Sequence, residues 1–296
     1  MVISLDGVLN VLKPSGMTSH DVVSFLRREL KTKKIGHAGT LDPQATGVLP
    51  LCVGQATRLV EFIMYQDKEY LCEMTLGITT TTQDAWGEVV EICDFSPLSL
   101  EEVKSIIPQL SGTITQTIPA YSAVKVDGIP LYKRTRLGMK TKTLSRQIQV
   151  YNIDIIKYEP PRVTFVIKCS KGTYVRTICH DWGQALGVGG HMSFLLRTKV
   201  GSFTLNESKT LEEIVALKEK ALMPMEICVE SLDKIILTEE EIKKIKHGQK
   251  LVLPKGAQLD NKVAVQNNEG KLQAIASLIT VDNKVLLKPE KVFNRE

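Results

Sequence analysis

An α+β fold, a mixed or antiparallel sheet with flanking helices followed by a small β-rich module, is what this sequence predicts. Alternating β-branched and apolar stretches recur along the chain, capped helices are interleaved with them, and after about residue 229 the pattern shrinks to short strands around one helix. Residues 7–12 read as a strand, and Thr18 or Ser19 then caps a helix whose Val22, Val23, Phe25, Leu26 and Leu30 keep helical spacing. Strands follow over 70–76, 88–93, 112–116, 147–156 and 162–169. Ser99-Leu100-Glu101-Glu102 and Thr210-Leu211-Glu212-Glu213 each set a hydroxyl three residues ahead of a glutamate, so side chains and backbone amides satisfy one another and a helix opens. In the tail, Thr238-Glu239-Glu240-Glu241 starts a helix that Gly248 stops, with strands over 251–253, 263–265, 272–279 and 285–287. The expected division is 1–228 and 229–296.

At 296 residues the chain exceeds the usual single domain of ~100 to 200. Its 43% hydrophobic and 24% charged residues are those of a globular protein, and no apolar run reaches the about 18 residues a bilayer requires. The start Met1-Val2-Ile3-Ser4-Leu5-Asp6 lacks a basic region and a long apolar stretch, so a soluble, cytoplasmic protein is expected. Cys52, Cys72, Cys93, Cys169, Cys179 and Cys228 are scattered, with no Cys-x-x-Cys pair, and are expected as reduced thiols rather than a zinc site. Cys179 and His180, adjacent on a predicted helix, point in different directions and do not make a nucleophile and base. Neither a dinucleotide fingerprint nor a P-loop is present.

The net charge of +5 is unevenly spread. Between 125 and 146, Lys125, Lys133, Arg134, Arg136, Lys140, Lys142 and Arg146 meet a single acid, Asp127, with Tyr132 among them. This segment, about 120–146, reads as an arm that grips phosphates, or as a solvated charged face. Arg27, Arg28, Lys31, Lys33 and Lys34 form a second cluster leading into a glycine-rich stretch.

That stretch, Gly36-His37-Ala38-Gly39-Thr40-Leu41-Asp42-Pro43-Gln44-Ala45-Thr46-Gly47-Val48-Leu49-Pro50, presents one carboxylate on a constrained backbone. Glycines at 36, 39 and 47 permit conformations a Cβ forbids, and Pro43 pushes Asp42 out of the αR region, so the backbone aims the side chain. Spacing alone fits a catalytic loop and a buried turn with a capping aspartate equally well.

The full string resembles the catalytic motif of the bacterial tRNA pseudouridine-55 synthases, which isomerise one uridine in the tRNA T loop. The resemblance continues through Leu12-Lys13-Pro14-Ser15-Gly16-Met17-Thr18-Ser19, Asp67-Lys68-Glu69-Tyr70, Pro119-Ala120-Tyr121-Ser122-Ala123-Val124-Lys125 and Ser170-Lys171-Gly172-Thr173-Tyr174-Val175-Arg176-Thr177, in the family's order over roughly residues 7–205. It implies a pseudouridine synthase catalytic domain, a cofactor-free isomerase, and tRNA as partner without membrane, metal or obligate protein partner; a monomer is the default. The tail more weakly resembles a PUA-type RNA-binding domain.

By this resemblance Asp42 is the catalytic aspartate, Arg176 its partner, and Tyr70 the tyrosine that stacks on the base and helps remove the C5 proton. A carboxylate beside an anomeric carbon stabilises or traps oxocarbenium-like character, and attack at C1′, attack on the base and removal of a 2′ proton all fit it. Arg176 is expected to keep Asp42 ionised. His37 matches the residue inserted around the extruded nucleotide, since a stacked base must be flipped out to react. Tyr174 and Leu195 match pocket positions, although a plain core role suits Leu195 as well. Lys13 and Pro14, with Gly39 and Thr40, match the support of the catalytic loop. Asp84 is expected to contact RNA, as are Lys125, Arg134 and Arg136. The pattern departs at Thr81, where an acidic residue is common, at Ile118-Pro119 and at Arg134-Thr135-Arg136. An RNA chaperone and a guide-RNA-dependent relative are the competing readings.

Overall fold

The computed structural model describes residues 5–139, 143–253 and 260–294. Met1 to Ser4 and the expected phosphate contacts Lys140 and Lys142 lie outside the described residues. Its centre is a nine-stranded sheet. Numbered along the chain, the strands are β1 Gly7–Lys13, β2 Ile35–His37, β3 Thr46–Val53, β4 Lys68–Leu76, β5 Gly112–Thr117, β6 Ser145–Glu159, β7 Arg162–Cys169, β8 Gly190–Val200 and β9 Phe203–Thr204. They lie in the order β1-β3-β8-β4-β7-β6-β5, with β2 on β3 and β9 on β8. β3 and β8 run parallel over a short register, and the other pairings are antiparallel, so the sheet is mixed.

Side-chain alternation shows why these segments are strands. Along β4 buried and half-buried residues alternate without a break, so Tyr70, Cys72, Met74 and Leu76 share one face. Against this region pack the helices Leu100–Ser105 and Val175–Ala185; Trp182 tilts onto Phe165 at 5.2 Å and its indole N–H donates to the Val103 carbonyl at 2.9 Å. At the other end of the sheet, helix Ser19–Glu29 buries Val22, Val23 and Leu26 against Leu9, Val11, Leu49 and Leu51. Each such side chain contributes roughly 1.5–3 kcal/mol. Capping boxes open four of the helices, at Thr18, Ser99, Thr210 and Thr238.

Two central strands, β3 and β8, are absent from the sequence reading. The glycine-rich stretch is a loop only over 38–45, and from Thr46 it is β3, buried on both faces. Gly47 there serves close approach rather than looseness: at φ +113° a Cβ would lie 2.2 Å from the Arg197 carbonyl oxygen of β8. Gly47→Ala is therefore expected to destabilise the fold by about 3 kcal/mol or more, read as a lowered midpoint of urea unfolding.

The tail forms a five-stranded sheet, ordered Asp233–Ile236, Lys262–Gln266, Leu272–Val281, Lys284–Val292 and Leu251–Val252. Helix Glu239–Lys246 covers it through Ile242 and Ile245. Ala264, Leu272, Ile275 and Phe293 also share a core with Val8, Val48, Leu59, Ile63 and Met225, which ties this sheet to the main one. Arg58 Nη1 donates to the Val292 carbonyl at 2.5 Å, and Lys291 pairs with Glu61 at 2.7 Å.

Candidate active site

The loop that carries Asp42 is held by buried cations. Lys13, at the end of β1, donates from Nζ to the carbonyls of Pro14 at 2.8 Å, Met17 at 2.6 Å and Pro43 at 2.9 Å. Arg197, fully buried on β8, donates to the carbonyls of Val48 at 2.7 Å, Gly39 at 3.2 Å and Thr40 at 3.4 Å. Ser19, at the start of its helix, accepts from the Leu41 amide at 2.9 Å. Carbonyls that would otherwise be unpaired in a glycine-rich turn are thus satisfied, and Asp42 has a fixed base.

Arg176 lies in the first turn of helix Val175–Ala185, 134 residues from Asp42, and its Nη1 reaches Asp42 Oδ2 at 3.0 Å. Its Nη2 donates to the Tyr121 carbonyl at 2.5 Å. Asp42 keeps 39% of its side chain exposed, at the floor of a cavity of about 1040 Å³. Burial in the cavity raises its pKa above the ordinary carboxylate value; the Arg176 charge opposes this, and Asp84 adds to the rise. Desolvation is the larger effect, and the Arg176 charge is the strongest influence favouring the anion.

Tyr70 on β4 lines the same cavity directly across the sheet from Arg197, which hydrogen-bonds its hydroxyl. Burial holds that hydroxyl up at about 12, so it stays protonated at neutral pH. His37, Leu195 and Tyr174 also line the cavity, together with Gly39, Thr40 and the exposed Trp86. Burial lowers the His37 pKa, so its ring is neutral at pH 7, and Nδ1 has no partner.

The remaining expected residues separate. Asp84 is buried: one oxygen accepts from Thr82 Oγ1 at 2.6 Å and from the Trp86 amide at 3.1 Å, and the other faces Arg176 at 3.7 Å. It lies against Arg176 and also lines the cavity. Arg134 is 12% exposed, and its Nη1 donates to Asp127 and to the Val126 carbonyl, both at 3.1 Å. Arg136 is exposed and lines the cavity, whereas Lys125 is exposed away from its lining. Pro14 contributes its carbonyl to Lys13. Cys179 is buried 3.6 Å from Cys72 Sγ, and all six cysteines are free. Among the described residues no group of His, Cys, Asp and Glu side chains is arranged to hold a metal, and no helix is long and apolar enough to cross a membrane.

Residues 27–175 match the TruB family pseudouridylate synthase N-terminal domain, and 176–242 match the tRNA pseudouridylate synthase B C-terminal domain. The chain belongs to the TruB family of pseudouridylate synthases. It is 41% identical to the tRNA pseudouridine synthase B of Clostridioides difficile (strain 630), covering 94% of this chain and 92% of that protein. With the tRNA pseudouridine synthase B of Streptococcus gordonii (strain Challis) it shares 42% identity over 98% of this chain and 100% of the other. Among solved structures it is similar to a chain of an H/ACA RNP bound to a substrate RNA containing 2′-deoxyuridine, with TM-score 0.77 and 28% identity over 98% of this chain and 86% of that one. A chain of a Cbf5-Nop10-Gar1 complex aligns with TM-score 0.77 and 30% identity, covering 97% and 85%.

Arg197 is the residue of this TruB-family site that the sequence reading left without a role, and Gln116, which contacts Tyr174, is another; Arg146, expected in the basic arm, contacts Tyr174 as well. In a strand Arg197 follows Leu195 by two positions and so shares its face, a signal legible only once β8 is recognised. Lys13 carries a pH prediction. Burial lowers its pKa to about 8, and a neutral amine has two N–H donors for three carbonyls. Turnover is expected to decline above about pH 8, and Lys13→Arg, charged throughout that range, to remove this alkaline limb from the pH–rate profile. Lys68 has a similarly lowered value, and a limb that survives Lys13→Arg would assign it there instead.

Proposed function

We propose that this chain converts uridine 55 in the T loop of tRNA to pseudouridine, acting alone, as a monomer, in the cytoplasm and without a cofactor or metal. The observation that supports the reading is that Asp42, 39% exposed, pairs with Arg176 at 3.0 Å in the cavity, while the neighbouring Asp84 is only 11% exposed and spends one oxygen on Thr82 and the Trp86 amide. A hydrolytic glycosidase flanks its bond with two working carboxylates, whereas an isomerase returns the bond to the same sugar and admits no water as nucleophile.

The reaction breaks the N1–C1′ bond, turns the base and forms C5–C1′; the proton leaves C5 and one is taken up at N1. Attack at C1′, attack on the base and removal of the 2′ proton all require the Asp42 anion, and Arg176 supplies the charge that favours it. Tyr70, neutral at pH 7, offers its ring to the base and its hydroxyl, bonded to Arg197, to proton transfer near C5. His37, also neutral, enters the T loop without a charge to desolvate, which lowers the cost of holding the nucleotide flipped out. Arg136 and Lys125 meet the RNA backbone, and residues 229–296 serve as a PUA-like second contact beyond a catalytic domain of 1–228.

The structural neighbours come from an H/ACA RNP and a Cbf5-Nop10-Gar1 complex, so the test supplies this chain alone, without other proteins or a guide RNA. Purified protein and an unmodified tRNA transcript are incubated and the product mapped by nuclease digestion and mass spectrometry. Pseudouridine at position 55 alone is expected. No pseudouridine without added guide RNA, or modification scattered over the tRNA, overturns the reading.

A further inference from the structure

The cavity contains a cation with no anion. Arg146, at the start of β6, lines it half-buried, and among the described residues no carboxylate pairs with it. Among the described residues its polar contact is a long one, from Nη2 to the Tyr174 hydroxyl at 3.5 Å, and its buried Nε has no partner there. Arg176, on the same Tyr174 ring, is by contrast neutralised by Asp42.

Arg146 is nevertheless held in place. It sits directly across β5–β6 from Gln116, which accepts from the Tyr174 amide at 2.8 Å and donates to the Tyr174 carbonyl at 3.0 Å. The Tyr174 ring so fixed lies 5.2 Å from the Arg146 guanidinium. Gly172 leaves the room: at φ +82° a Cβ there would come within 2.6 Å of Arg146 Nη1. A guanidinium whose plane is set by a ring, whose donors are unspent and which faces a cavity is preorganised for a planar or tetrahedral oxyanion.

We propose that Arg146 binds a phosphodiester directly flanking the extruded uridine, and so fixes the ribose relative to Asp42. This rests on the RNA-isomerase reading above. It differs from a general basic surface, because Arg146, although counted with the basic 125–146 segment in the sequence, stands on the central sheet, whereas Arg136 ends the helix Leu131–Arg136 and Lys125 lies in a separate two-stranded hairpin.

The test uses T stem-loop RNAs with 2′-deoxyuridine at the target, carrying one uncharged methylphosphonate linkage 5′ or 3′ of it, and reads Kd. Arg146→Gln is expected to weaken binding of the fully charged RNA roughly 10- to 100-fold. One of the two uncharged linkages should cost the native protein a similar factor and cost Arg146→Gln nothing further, with Arg146→Lys intermediate. Independent, multiplying losses would overturn the assignment, as would an Arg146→Gln protein that binds normally. If Arg146→Gln does not fold, the native protein still decides: unchanged Kd with both uncharged linkages overturns it. Turnover of the all-ribose stem-loop separates the two readings. Coupling without pseudouridine sinks the isomerase but keeps the phosphate contact, and pseudouridine without coupling sinks the phosphate contact alone.

Discussion

Asp42→Asn is expected to lower turnover roughly 10⁴-fold or more while leaving tRNA binding within about threefold. The asymmetry follows from the geometry. The Asp42 backbone is fixed by Lys13, Ser19 and Arg197 independently of its carboxylate, so an asparagine of the same shape leaves the loop and cavity as they are. What is lost is the anion that every route to glycosidic cleavage needs. Filter binding of the variant to a tRNA transcript, alongside its turnover, reads both quantities. Turnover within tenfold of the native protein would remove Asp42 from the chemistry.

Arg176→Ala is expected to cut kcat about 10²- to 10³-fold and to move the acid limb of the pH–rate profile to higher pH. The direction is fixed by opposing effects already present. Burial raises the Asp42 pKa, so in the native protein the limb already lies above the ordinary carboxylate value of about 3.9, and activity falls as pH drops through it. Arg176 is the largest influence pulling that pKa down, and without it only the weaker Lys13 charge opposes Asp84 and burial. Arg176→Lys, which keeps the charge but not the two-pronged contact with Asp42 and the Tyr121 carbonyl, should bring the limb back towards its native position without restoring the full rate. A limb that moves to lower pH in Arg176→Ala would contradict the assigned electrostatics.

How far the sequence can be read depends on which interactions are local. Helix starts are local, and the boxes at Ser99, Thr210 and Thr238 stand where their spacing puts them. The Asp42 loop and Arg176 are legible because each carries a motif, although nothing in either motif shows that they meet at 3.0 Å. β3 escaped notice because Gly47 and Pro50 read as loop punctuation, yet that glycine is there to admit the neighbouring strand. Arg197 is a buried arginine whose partners are backbone carbonyls of a loop some 150 residues away, and backbone carbonyls leave no mark in a sequence. Ion pairing is just as invisible in a count of charges. A net-positive segment looks free to bind phosphate until folding pairs one of its cations with Asp127. Likewise, nothing in the sequence shows that one oxygen of Asp84 accepts from Thr82 and from the Trp86 amide. The tail is read correctly as a β-rich unit, while its shared core with the main sheet emerges only from packing.

The most direct test of the central claim is tritium release from an unmodified tRNA transcript labelled at C5 of its uridines, with purified protein, excess EDTA and no guide RNA or added cofactor. One label released per tRNA, lost when the T-loop uridine is replaced and lost in Asp42→Asn, is the predicted result; no release from a transcript that the protein binds tightly would contradict it.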